Sequence, residues 1–175
     1  MFDLSTLNTT AADDSGIWLP INHPVSGDPL GLEFRVKSKN CDVVRAKAKR
    51  YISRLQTDRD FREKGKVDLD AAEAHRIEVL VMCTADWRYC DALEAKPPVY
   101  RPDICIDKEW VSFSAAKVKE IYSQTGWAWL RAQVEAAAED ESRFLPQGVP
   151  LSTDTLNTSS LSAVPTIQKT PSLAA

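Results

Sequence analysis

Residues 17–36 constrain the fold more than any other stretch. The apolar run Ile17-Trp18-Leu19-Pro20-Ile21 is followed by a turn-forming cluster, Pro24-Val25-Ser26-Gly27-Asp28-Pro29. Leu30, Leu32, Phe34 and Val36 then alternate with Gly31, Glu33 and Arg35, the period of a strand with one buried face. Proline, glycine and aspartate supply the turn chemistry, so the spacing predicts a β-hairpin. A lone two-stranded hairpin is marginal in water. This one must pack on helices or on another subunit.

The remaining pattern is read as mainly helical. Asn40 is taken as the N-cap of a helix with Val44, Ala48, Tyr51, Ile52 and Leu55 on one face,. A second helix is expected from about Asp68, where Asp70 and Glu73 stand at capping-box spacing. Its stripe runs through Ala74, Ile77, Leu80, Val81, Thr84 and Trp87. Lys96-Pro97-Pro98 and Pro102 impose a loop, and residues 104–111 read as one short extended pass. Phe113 and Val118 flank Ser114 as a hydrophobic staple across an N-cap. A third helix is expected from Ala115 to about Gln124, with Gly126 in a left-handed position after it. The last helix spans about Trp127 to Glu139, with Leu130, Val134 and Ala137 on one face. The fold class expected is therefore α+β, mainly α-helical, with an N-terminal β-hairpin followed by about four helices.

Composition fixes the organisation around that core. The chain of 175 residues suits a single domain, placed at residues 17–146. Residues 1–16 read as a flexible leader. Residues 147–175 read as a disordered Ser/Thr-rich tail, because residues 151–175 hold five Ser, five Thr and only Asp154 and Lys169 as charges,. The longest apolar run, Val79–Cys83, is far short of a membrane span,, and no basic leader precedes an apolar stretch. These features lead us to expect a cytosolic protein with no membrane role.

Sites for chemistry are scarce. Cys41, Cys83, Cys90 and Cys105 form no C-x-x-C pair and are read as free thiols; no metal and no cofactor is expected. His23 and His75 are the only candidate imidazole bases. No nucleophile elbow, Walker loop or dinucleotide fingerprint is present. With no catalytic residue to name, an enzyme is not expected.

Two features point to binding. Residues 35–66 carry twelve Lys/Arg against four Asp/Glu, a net +8, in a chain whose total is −3. Arg45, Lys49, Arg50 and Arg54 form its helical basic patch. Such a segment can track phosphates or dock an acidic partner, yet only Tyr51 and Phe61 supply aromatic interleaving. Trp127 and Trp129, two residues apart, fall on different faces of the last helix, so one can fill the core while the other meets a partner.

Further motifs appear in a fixed order. Leu30–Ser38 is followed by an Arg/Lys-rich helix and an acid-rich one ending in Asp86-Trp87. Then come Val111-Ser112-Phe113-Ser114-Ala115-Ala116-Lys117-Val118-Lys119-Glu120-Ile121-Tyr122, Trp129-Leu130-Arg131-Ala132-Gln133-Val134 and Ser142-Arg143-Phe144-Leu145. Over residues 17–146 this resembles the tail assembly chaperones of long-tailed, siphovirus-like bacteriophages. The loop from Asp91 to Pro102 is longer than the family pattern, and the segment after Pro150 has no counterpart in it. The resemblance implies a non-enzymatic factor that binds the tape measure protein, keeps it soluble and helps recruit tail tube subunits. It also implies action in the host cell cytoplasm and absence from the mature virion. On this reading Trp127, Trp129, Leu130, Val134, Phe144 and Leu145 form the client or self-association surface. Two alternatives stand beside it: a structural phage tail or connector component, and a nucleic-acid-binding module using residues 35–66.

Overall fold

The computed structural model describes residues 8–58, 68–91 and 96–145; the tail expected after residue 146 lies outside them. It corrects the expected fold class. Among the described residues, six strands form two antiparallel sheets beside five α-helices, so the chain is α+β with a strand-rich framework rather than one hairpin and a run of helices.

The hairpin forms as its alternation requires: β1 (Ile17–Asn22) pairs antiparallel with β2 (Pro29–Val36), with Leu19 opposite Phe34. Within the expected leader, residues 10–15 are helical and mostly exposed. Thr10–Ser15 is a short helix, α1, whose buried Asp13 accepts from the Thr9 hydroxyl at 2.7 Å.

Helix α2 (Asp42–Thr57) begins after Cys41 rather than after the expected cap Asn40. Asn40 is used elsewhere, its side-chain amide donating to Glu141 at 2.7 Å. Helix α3 (Leu69–Cys83) is capped by Asp68, which accepts from the Asp70 and Ala71 N–H groups, satisfying donors that the first turn leaves free.

The main departure follows α3. The helical spacing of apolar residues continues to Trp87, but the helix ends at Cys83 and Thr84–Cys90 is strand β3. It pairs with β2, placing Trp87 opposite Phe34 and Arg88 opposite Glu33. β4 (Tyr100–Arg101) pairs with β3 and closes a sheet of order β1-β2-β3-β4. The expected extended pass is a second hairpin, β5 (Asp103–Ile106) and β6 (Glu109–Ser112), turned by Asp107 and Lys108 at positive φ.

The C-terminal helices match their signals more closely. Ser114 accepts from the Lys117 N–H at the start of α4 (Ala115–Ser123). Gly126 does not adopt a left-handed conformation; it sits in the 3-10 turn Thr125–Trp127, from which α5 (Ala128–Glu139) starts. A second 3-10 turn, Glu141–Phe144, follows α5.

One face of the large sheet presents Leu19, Phe34 and Trp87 to Leu80, Val118, Tyr122 and Val134 of the helices, all of them buried. On the opposite face the Arg88 guanidinium lies between the rings of Trp18 and Tyr100, 4.0 and 3.6 Å from their centroids. Arg88 Nε also donates to Glu33 at 2.7 Å. This ladder ties all four strands together. The exposed edge strand β1 carries Pro20, which has no N–H to offer another strand. At its end the Gln133 side chain of α5 bonds both the N–H and the C=O of Asn22, at 3.0 and 2.9 Å.

Helix α5 is held by charge as well as burial. Glu135 accepts from Arg76 Nε at 2.9 Å and pairs with Lys39 at 3.3 Å. The Arg76 hydrogen bond, with Lys39 assisting against partial burial, holds the Glu135 carboxyl below its ordinary range. A carboxyl with a depressed folded pKa contributes stability that is complete above the ordinary carboxylate pKa, then lost as pH falls through the folded value. Urea midpoints measured between pH 7 and 3 should therefore fall on the acid side. Glu135→Gln should lower the midpoint at pH 7 and shrink that acid-side loss; an unchanged acid limb counts against the assignment.

Candidate docking groove

The beginning of β2, the end of β3, the β5–β6 hairpin, the end of α4 and the start of α5 surround an apolar groove of about 400 Å³. Leu30, Leu32 and Tyr89 form one wall, Ile104, Cys105, Ile106 and Trp110 another, and Ile121, Trp127 and Leu130 line the helical side. Its volume and lining fall in the range of sites that take an apolar ligand or side-chain cluster.

Local chemistry sets its shape. Gly31 has φ +73°, and a Cβ there would lie 3.0 Å from the Cys90 carbonyl oxygen and 3.4 Å from the Tyr89 ring. Only glycine adopts that conformation without strain, so β2 and β3 approach closely at the groove wall. Gly31→Ala should cost roughly 1–3 kcal/mol of unfolding free energy, read by urea denaturation; a neutral effect would mean this approach is not needed.

Trp110 stands at the lip, 50% exposed, with Tyr89 edge-on at 5.9 Å and the Arg101 guanidinium 5.1 Å from its ring. Asp91, the charged residue of the lining, is ion-paired with that same Arg101. The groove therefore offers apolar surface with its charge already compensated.

The cysteines divide sharply. Cys41, Cys83 and Cys90 are buried, and burial pushes the Cys83 thiol up to about 12; Cys105 is exposed and lines the groove. His23 accepts the Ser26 N–H at 3.2 Å through Nδ1 within its turn. His75 stacks on Tyr51 at 3.7 Å and 7°. Among the described residues no group of three His, Cys, Asp or Glu side chains is arranged to hold a metal ion.

The residues expected at the contact surface lie at different depths. Leu130 and Val134 of α5 and Phe144 of the following 3-10 turn are buried, at 3%, 0% and 1% exposure. Leu130 still reaches the groove floor. Trp127 and Trp129 are both half-buried, with ring centroids 6.1 Å apart. Trp127 lines the groove, and its indole N–H donates to Gln124 at 3.1 Å. Leu145 is exposed beyond the far end of α5. The basic patch is separate: Arg45, Lys49, Arg50 and Arg54 are exposed on α2 with no ion pair among the described residues.

Sequence reading missed Leu30, Tyr89, Ile104, Cys105 and Trp110 as site residues. For Ile104, Cys105 and Trp110 the signal was a hairpin around Asp107-Lys108, recognisable only once that dipeptide is seen as a turn; Leu30 and Tyr89 carried none. Compared with protein-family models, curated proteins and solved structures, the chain matches none.

Proposed function

We propose that this protein is a non-enzymatic tail assembly chaperone of a long-tailed bacteriophage. On this reading it binds the tape measure protein in the host cell cytoplasm, keeps it soluble, helps bring tail tube subunits to it, and is absent from the finished particle. The motif order over residues 17–146 suggests the family. The observation that carries the reading is the charge-compensated apolar groove with tryptophans at its lip and side. Such a surface suits large apolar side chains of a helix laid into it, which is what an aggregation-prone helical client presents. It is also compatible with self-association.

Co-expression with the phage's tape measure protein tests this. The expected result is a soluble complex with several copies of the chain per client, seen by size exclusion with light scattering. An insoluble client beside a free chain would overturn the reading. Recovery of the chain in purified particles would favour a structural tail or connector component instead.

The four α2 cations with no ion pair among the described residues, Arg45, Lys49, Arg50 and Arg54, favour one second reading, a nucleic-acid-binding module. If all four contact phosphates, the logarithm of affinity should fall with the logarithm of salt at a slope of about −3 to −4. Absence of binding at low salt removes it.

A further inference from the structure

The groove is apolar, and the chain itself contains a segment of matching character. We propose that residues 161–167, Leu161-Ser162-Ala163-Val164-Pro165-Thr166-Ile167, dock in the groove of their own chain and cover it until a partner displaces them. The inference rests on reading the groove as a docking surface, whatever its external client.

Three observations lead there. Residues 155–168 carry no charge, bounded by Asp154 and Lys169, and the groove's charged lining residue, Asp91, is already paired with Arg101. Neither side loses solvation of an unpaired charge on contact. Leu161, Val164 and Ile167 supply three large aliphatic anchors in seven residues, whereas the unpaired cations of α2 offer this segment no complementary partner. Finally, the described chain ends at Leu145 with thirty residues still to follow. The stretch from Leu145 to Leu161 can span about 50 Å when extended, more than the roughly 35 Å across a domain of this size. Being tethered, the segment meets the groove at an effective concentration near the millimolar range, so even a weak contact is populated and remains displaceable.

Cys105 provides the readout, as the exposed thiol inside the groove beside three buried ones. The full chain is reacted with 5,5′-dithiobis(2-nitrobenzoate), alongside a full-length Leu161→Asp/Val164→Asp/Ile167→Asp variant. A Cys105→Ser chain identifies the fast phase. If the segment covers the groove three-quarters of the time, the variant should react about fourfold faster. A synthetic peptide of residues 157–170 should slow it again, and circular dichroism and Tm should match the unaltered chain. Equal rates would overturn the proposal. So would an equal acceleration by Leu151→Asp/Leu173→Asp, which leaves the segment intact. No client takes part, so failure here leaves the chaperone reading standing, and failure of client binding leaves this result untouched.

Discussion

Replacing Trp87 by alanine should lower the unfolding free energy by about 3–5 kcal/mol, a large part of the roughly 5–15 kcal/mol that holds a domain folded. Trp87 is fully buried in β3, opposite Phe34 in β2. It meets the Phe34 ring edge-on at 5.9 Å and the Phe113 ring at 5.3 Å. One side chain thus joins the large sheet to the segment leading into α4. Its truncation loses the transfer energy of the indole and leaves a cavity among aromatic rings unable to collapse fully. Trp87→Phe should cost less than half as much. Among the described residues the indole N–H is buried without a hydrogen-bond partner, and phenylalanine removes that polar group, whose unmet bond costs about 1–3 kcal/mol. Urea denaturation followed by far-ultraviolet circular dichroism separates the two variants. If Trp87→Ala stays within about 1 kcal/mol of the unaltered chain, outside the range for a buried aromatic, then Trp87 does not sit at the centre of this core.

The same residue shows why part of the fold was legible in the sequence and part was not. The β1–β2 hairpin declares itself locally: its alternation and its turn lie within twenty residues, and both survive in the structure. Helices α4 and α5 do likewise through the Ser114 cap and the Leu130/Val134/Ala137 stripe. β3 does not. Thr84 and Trp87 continue the three- and four-residue spacing of Ile77 and Leu80, so the local pattern reads as more helix. What turns Thr84–Cys90 into a strand is the edge of β2, about fifty residues earlier in the chain. Hydrogen bonding and the Phe34–Trp87 contact outweigh the periodicity there. Once β3 is missed, the fold class shifts toward helix and the partner of β4 disappears. The groove was harder still. Leu30, Tyr89, Ile104, Trp110 and Trp127 come from five separate elements, and no local spacing joins them. Trp127 was visible because it stands beside Trp129; Trp110 was hidden in what looked like a single extended pass. Asn40 and Gly126 mark the reverse error. Each is a residue type suited to a helix end, but tertiary contacts or a 3-10 turn use it otherwise.

If the groove is the client surface, Trp110→Ala and Trp127→Ala should each weaken client binding by at least about tenfold, and together by more, as expected for aromatic anchors at a contact. These two residues suit the test better than others in the lining. Trp110 is half exposed and Trp127 half-buried, so truncation removes contact surface while sparing the core. Leu130, at 3% exposure, would confound binding with unfolding. The contrasting variant removes Arg45, Lys49, Arg50 and Arg54 together. Exposed, unpaired charges steer association and set its salt dependence more than they set affinity. Their loss should therefore change client affinity less than about threefold at physiological salt, with a larger effect when salt is lowered. The measurement is titration of each purified variant against the same apolar client segment, with Tm recorded to confirm folding. The reverse pattern, binding indifferent to both tryptophans yet abolished with the α2 cations, would move the functional surface to α2 and favour an anionic partner. Loss of binding in both sets would mean that one extended partner spans the groove and the basic helix. Only the first pattern fits a chaperone that recognises its client by apolar side chains. The two surfaces are built differently enough that the variants keep these outcomes apart: the groove's Asp91 is paired with Arg101, while Arg45, Lys49, Arg50 and Arg54 have no ion pair among the described residues.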